Sequence, residues 1–204
     1  MRRIVTLIGL LSLFTLSANA EQRLKNIQVT PFAGFTMGGG IKIEDEDDPG
    51  QKQTLDLDES ANYGFTVNWP SKYPTEWEIY YNHQDTKVKD DGVKLDIDTL
   101  QIGGTYLGQS NTAVPYFVAT AGATRIAPKD GSSDYYFGFS TGGGWKFFPT
   151  KRIGLRLEGR VLGTVISSDK TWICGGNGGA ACSIQTSGNM LWQFQANAGV
   201  VFRF

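Results

Sequence analysis

The last fifteen residues, MLWQFQANAGVVFRF, alternate in character with a period of two. Met190, Trp192, Phe194, Ala196, Ala198, Val200, Phe202 and Phe204 share one face, and Leu191, Gln193, Gln195, Asn197, Gly199, Val201 and Arg203 share the other. The first set is wholly apolar and the second mostly polar or small. Only an extended strand sends successive side chains to opposite faces. A globular strand averages five or six residues, whereas a strand that crosses a bilayer needs about 9–11 or more. The length of this strand is therefore the informative quantity.

The pattern recurs along the chain. Trp69, Val67, Phe65 and Tyr63 oppose Asn68, Thr66 and Gly64 in 61–69, and Trp77, Ile79 and Tyr81 oppose Glu76, Glu78 and Asn82 in 76–83. Leu100, Ile102 and Tyr106 oppose Thr99, Gln101 and Thr105 in 99–107. In 135–147, Tyr135, Phe137, Phe139, Trp145 and Phe147 oppose Gly138, Ser140, Gly142, Gly144 and Lys146. In 153–165, Ile153, Leu155, Leu157, Val161 and Val165 oppose Arg156, Glu158 and Arg160. Segments 27–37 and 113–125 alternate less cleanly, and in the second Phe117, Ala119 and Ala121 are assigned outward. This makes eight strands, with no segment of helical period bounded by helix start and stop signals. Short connections at 70–75, 108–112 and 148–152 alternate with longer polar ones at 38–60, 84–94, 126–134 and 167–189. Outer-membrane barrels have this asymmetry, with short periplasmic turns and longer outer loops.

The first twenty residues form an address. Arg2 and Arg3 precede an apolar stretch, Ile4 to Leu16, and the small-residue site Ser17-Ala18-Asn19-Ala20 precedes Glu21. This is the pattern of a cleaved secretory signal; the apolar run is short for a membrane-spanning helix, which needs about 20 residues. The expected domains are a signal peptide, 1–20, and a barrel, 21–204.

The faces follow from cost. A Lys or Arg facing lipid near the midplane costs about 2–4 kcal/mol, so Arg156, Glu158, Arg160 and Lys146 point into the lumen, together with Glu78 and Arg203 on other strands. A soluble barrel would invert the faces, with the apolar side inside. Strand length, the signal peptide and a girdle of rings argue for the membrane. Trp69, Trp77, Tyr106, Trp145 and Phe147 flank the short turns, with Phe202 and Phe204 at the same level, and rings of this kind lie favourably at a membrane interface. Tyr81, Tyr135 and Trp192 are candidates for the opposite girdle.

These features resemble the eight-stranded outer-membrane barrel family of Gram-negative bacteria, the OmpA/OmpX-like and opacity-type barrel domains. The resemblance rests on the signal peptide, the eight alternating strands, glycine-rich strand interiors, the stretches WEIYYNHQDT and IGGTYLG, and the terminal aromatic Phe204. It spans about 21–204 and is similar to the barrel-only members. It implies an all-β, antiparallel, up-and-down transmembrane barrel. Phe202 and Phe204 would then be the signal read by the barrel-assembly machinery, and the outer loops would meet lipid, lipopolysaccharide, matrix or host surfaces. Monomers are expected.

Composition narrows the chemistry. A formal net charge of −1 and scattered Lys and Arg leave no basic patch for nucleic acid. Two cysteines cannot make a four-thiolate zinc site, and one histidine rules out any site needing two; no cofactor or metal is expected. Cys174 and Cys182 bracket a glycine-rich tip; in an exported protein they are expected to form a disulfide. The acidic run Glu44 to Asp48, with Asp56, Asp58 and Glu59, lacks the spacing of a calcium loop and is read as a solvated outer loop. Gly142, Gly143 and Gly144 lie in a strand with no helix after them, so they make room in the lumen rather than cradle phosphate. His83 lacks a serine partner in sequence and is read as interfacial. The expected function is non-enzymatic, structural or surface-interacting. A narrow gated channel through the charged lumen is the alternative, ahead of a lipid A-modifying enzyme or a soluble lipocalin-like carrier.

Overall fold

The computed structural model describes residues 27–44, 52–89, 92–110, 113–129, 131–166, 171–175, 181–185 and 189–204. The signal segment 1–20 and most of the acidic run lie outside them.

Eight strands form the wall: β1 (Gln28–Met37), β4 (Ser60–Pro70), β5 (Thr75–Lys87), β6 (Lys94–Leu107), β7 (Ala113–Pro128), β8 (Asp134–Phe147), β9 (Ile153–Ile166) and β12 (Asn189–Arg203). Their order is β1-β12-β9-β8-β7-β6-β5-β4, and β1 also pairs with β4, so the sheet closes into an antiparallel barrel. The remaining strands are two hairpins, β2 (Gly40–Glu44) with β3 (Lys52–Asp56) and β10 (Thr171–Gly175) with β11 (Ala181–Gln185).

The register fixes the barrel's dimensions. One row of paired residues runs from Pro70 through Glu76, Thr105, Val118, Gly142, Arg160, Gln195 and Thr36, and returns to β4 at Ser60, ten residues further along. Ten residues of about 3.3 Å set against eight strand spacings of about 4.8 Å correspond to a strand tilt of about 41° and a wall radius of about 8 Å. A barrel of this width is filled by its own side chains.

Leu155, Leu157, Phe117, Phe137, Leu100 and Ile102 are exposed on the outside, while Glu78, Lys146, Arg156 and Arg160 are buried inside. This is the polarity of a barrel whose outer solvent is hydrocarbon.

The connections correct part of the sequence reading. The expected 84–94 connection is strand through Lys87 and again from Lys94, and 126–134 is strand through Pro128 and again from Asp134. The other two long connections contain the β2–β3 and β10–β11 hairpins. These extensions escape a test for apolar outward residues because their polarity reverses. Asp85, Lys87, Lys94 and Asp96 lie on the lipid-side parity, whereas Leu95, Ile97 and Ile126 occupy the lumen-side parity and are buried. Above the membrane the outer solvent is water, and the same wall becomes a soluble barrel with its apolar face inside.

The lipid-side face can be tested at Leu157, near the middle of β9. Leu157→Arg is expected to lose about 2–4 kcal/mol of folding free energy in urea titrations of the vesicle-reconstituted protein. An unchanged midpoint would mean that this face does not meet hydrocarbon.

Candidate functional site: the layered lumen

The lumen is stacked in layers. Nearest the short turns, Lys146 on β8 meets Glu76 on β5 at 2.7 Å and Gln28 on β1 at 3.0 Å, and the Gln28 amide donates to Glu76 at 2.7 Å. This triangle ties three strands together across the barrel. Lys146 stands among the lumen residues expected from the sequence; Glu76 shares their inward face, but its pairing across the lumen is not legible from one strand.

Above it lies a closed ring of alternating charge. Arg156 contacts Glu78 at 2.9 Å and also Glu158; Arg160 contacts Glu78 at 2.6 Å and Glu158 at 2.8 Å. Each carboxylate thus faces two guanidinium groups and each guanidinium two carboxylates. Side chains taken out of water at this cost need their remaining donors and acceptors satisfied. Arg156 donates to Thr66, Asn68 and the Tyr116 hydroxyl, and Arg160 to Thr120 and Ser140. Glu78 accepts from Asn68 and Thr105, and Glu158 from Tyr116 at 2.7 Å. The rings of Tyr80 and Tyr116 carry the cations on their faces, Arg160 at 3.9 Å and Arg156 at 4.7 Å from the ring centres, an electrostatically favourable placement. Across these two layers three bases, Lys146, Arg156 and Arg160, balance three acids, Glu76, Glu78 and Glu158.

The glycines of β8 make the ring fit. A Cβ on Gly142 would come within 3.2 Å of the Arg160 Cβ, and one on Gly144 would collide with the Leu157 carbonyl oxygen.

Arg203, also expected in the lumen, sits apart from this ring. Its guanidinium lies 3.9 Å from the centre of the Phe148 ring, near the short-turn mouth, and it makes no ion pair among the described residues. The terminal residues Phe202 and Phe204 are exposed on the outer side, as are Trp77, Tyr106 and Trp145, with Trp69 and Phe147 half-buried.

A neutral layer follows. Gln101, Thr120 and Ser140 bond one another, Asn62 donates to Asn82 at 2.8 Å and Asn197 at 2.9 Å, and Gln193 donates to Gln84 at 3.0 Å. The outer mouth is closed by apolar side chains: Val88, Leu95, Ile97, Ile126, Tyr136, Ile166 and Leu191, with Leu57 from the first outer connection buried among them. The chain around Leu57 is stitched down by backbone bonds from Leu57 to Gly39 and from Asp58 to Lys87, 2.7 Å each. Sequence reasoning missed this lid. The signal was available as apolar residues on the lumen parity of 95–97, 126 and 191, beyond the level where lipid ends.

His83 lies on the outward parity of β5, with Tyr81 and Asp85. It shares a 2.7 Å hydrogen bond with Asp98, lies 3.4 Å from Asp85, and packs beside Tyr63. Cys174 and Cys182 are Cα partners on β10 and β11; their side chains lie outside the described residues.

No protein-family model matches the sequence, and no curated protein matches it. Solved structures share its fold. The crystal structure of neisserial surface protein A matches with a TM-score of 0.55 at 11% identity, over 87% of this chain and 97% of that one. The outer membrane protease OmpT from Escherichia coli matches with a TM-score of 0.53 at 11% identity, over 94% and 99%. The outer membrane protein AlkL, solved by solid-state NMR in lipid bilayers, matches at 0.51 with 12% identity, over 88% and 90%. The chain is a closed eight-stranded β-barrel with the fold of outer-membrane barrels.

The ring is expected to behave as a unit. Glu78→Gln replaces one of the two acceptor oxygens by an NH2 donor, leaves one buried guanidinium without its acceptor and both without the compensating charge, and should cost about 3–5 kcal/mol in urea titrations. Adding Arg160→Met should return part of that loss, giving a coupling energy in a double-mutant cycle. Additive losses would mean that the two side chains act independently.

Proposed function

We propose that the chain is a non-enzymatic outer-membrane barrel, exported by a signal peptide cleaved after Ala20, that acts as a structural and surface-interaction protein. The observation that carries this reading is the doubly closed lumen. A charge-balanced ion-pair ring fills the middle and an apolar lid fills the outer mouth. A hydrated ion would have to break the first and wet the second. What remains for interaction is the outer end, where the β2–β3 and β10–β11 hairpins and the tips of β5–β6 and β7–β8 face outward. In this reading Cys174 and Cys182, opposite one another in register, form a disulfide that ties the β10–β11 tip. Phe202 and Phe204 carry the assembly signal, and the barrel is a monomer.

Two alternatives predict different outcomes. The narrow-channel reading takes the same lumen charges as a path. The refolded protein in planar bilayers under molar potassium chloride is expected to give no discrete current steps. Steps whose size changes in Arg160→Ala or Glu158→Ala would replace the closed-barrel reading with a channel. The enzyme reading would use His83 as a base. Among the described residues its polar partners are the carboxylates of Asp98 and Asp85, with no hydroxyl or thiol nucleophile in hydrogen-bond contact, which supports the non-enzymatic reading. Lipid A mass spectra of cells with and without the protein are expected to coincide. A mass change that disappears in His83→Ala would establish an enzyme.

A further inference from the structure

The two ends of the chain's barrel carry opposite charge. The segments of the outer end, 38–60, 84–98, 125–134 and 167–189, hold sixteen acids and eight bases. Those of the short-turn end, 21–26, 71–75, 108–112, 148–152 and 203–204, hold six bases and one acid. The bases are Arg23, Lys25, Lys72, Lys151, Arg152 and Arg203, and the acid is Glu21. The short-turn end is therefore the one that attracts anions, whichever base Glu21 meets. Lys72, Lys151 and Arg152 are exposed in the turns, and with Arg203 they make no ion pair among the described residues. The backbone N–H of Arg203 donates to the Arg152 carbonyl oxygen at 2.8 Å, which sets the end of β12 against the β8–β9 turn. Lys151, Arg152 and Arg203 thus stand on one side of the rim.

The wall above that side is grooved on its lipid face. Two adjoining depressions, of about 480 and 450 Å³, share Leu157 and Ala198. The lower one begins at Phe147, Leu155 and Val200, successive cross-strand partners on β8, β9 and β12. The upper one ends on Gly143, Gly159 and Ala196, partners on the same three strands. That last row carries no side chain larger than a methyl group. A Cβ on Gly159 would meet no atom within 4 Å, so the space in front of β9 is open. At the tilt derived above each residue climbs about 2.5 Å along the barrel axis, which puts Leu155 about 10 Å above Lys151 and Gly159 about 10 Å above Leu155. The apolar band of such barrels is about 25 Å tall. The groove therefore runs about the depth of one leaflet, and the cations stand at the headgroup level beneath it.

We propose that this groove and its rim form a binding site for an anionic diacylglycerophospholipid of the periplasmic leaflet. Its phosphate lies against Lys151 and Arg152, and one acyl chain lies along Leu155, Leu157 and Gly159. The proposal rests on the outer-membrane reading above. The groove alone would take any acyl chain; the cations at its foot select a headgroup of net negative charge. Lys72, in the β4–β5 turn, stands halfway round the barrel from the β8–β9 turn, outside the site.

The test uses the full chain, refolded in a zwitterionic detergent. It is titrated with phosphatidylglycerol or with phosphatidylcholine of the same acyl chains, and bound lipid is followed by native mass spectrometry. The wild type is expected to bind phosphatidylglycerol about tenfold or more tightly than phosphatidylcholine. Lys151→Gln/Arg152→Gln should remove that preference, and Lys72→Gln should keep it. Gly159→Leu, which fills the groove, should weaken the binding of both lipids severalfold. Equal affinity for the two lipids in the wild type, a preference that survives Lys151→Gln/Arg152→Gln, or an equal loss in Lys72→Gln overturns the charged site. Full affinity in Gly159→Leu overturns the groove. A dimer of the chain that binds no lipid and dissociates in Gly159→Leu replaces the lipid with a second copy as the occupant. The wild-type comparison and Gly159→Leu decide the matter even if the double variant misfolds. Heat-dependent gel mobility of the wild type, run alongside, separates this outcome from failure of the barrel reading, since only the latter would abolish the shift.

Discussion

The constraint on which this molecule depends is that hydrocarbon offers a backbone no partner. Every N–H and C=O of a strand at that depth must bond to a neighbouring strand, and the last strand must find the first. β1 meets this by pairing with β12 on one side and β4 on the other. Closing eight strands with a ten-residue stagger then sets the radius, and a wall of about 8 Å radius leaves room for side chains rather than a water column. The filled lumen is thus a consequence of closure. Its charges have no bulk water to turn to and must answer one another, which is what the Glu78–Arg156–Glu158–Arg160 ring does.

The barrel also shows how solvent decides polarity on a fixed backbone parity. On β6, Gln101, Thr99, Ile97 and Leu95 all point inward, and they change from polar to apolar in the span of one strand. Opposite them Ile102, Leu100, Asp98, Asp96 and Lys94 point outward and change the other way. Nothing in the ladder marks the crossing, since the hydrogen bonds continue unbroken through it. The change records where lipid gives way to water. The apolar lid and the charged outer flank are two faces of that one boundary.

This explains which parts were legible in the sequence. Period two in 190–204 and 153–165 reports a strand and its two faces, and the cost of charge in lipid tells which face is inward, so Arg156, Glu158 and Arg160 are readable one strand at a time. The same reasoning stops at 83–84 and 125–126, because it assumes that the outward residue is apolar. Strand continues there with the assignment reversed. Partner choice is illegible for another reason. Lys146 reaches Glu76 rather than a nearer-looking charge because the stagger of the whole barrel brings β8 and β5 to one level across the lumen. A stagger accumulates over eight pairings, and no single segment carries it. Arg203 shares the inward parity of Arg156, yet it sits at the short-turn end against Phe148, away from the ring; height along the axis separates residues that parity groups together.

Buried ion pairs contribute little net stability relative to well-packed apolar side chains, because desolvation offsets most of their attraction. The ring therefore needs another physical role, and register supplies it. A slip of one residue in β9 would turn Arg156, Glu158 and Arg160 outward together and bring Leu155 and Leu157 into the lumen. Two arginines placed in hydrocarbon would cost about 4–8 kcal/mol at the midplane rate, before counting the carboxylates left alone inside. An apolar plug of equal volume would pack as well but would penalise the slipped state far less. The charges are worth more against the wrong barrel than for the right one, and their concentration on β9 places that penalty on a strand held by ladders of eleven residue pairs to β8 and fourteen to β12, where the connection to β12 is long and leaves the register to the side chains.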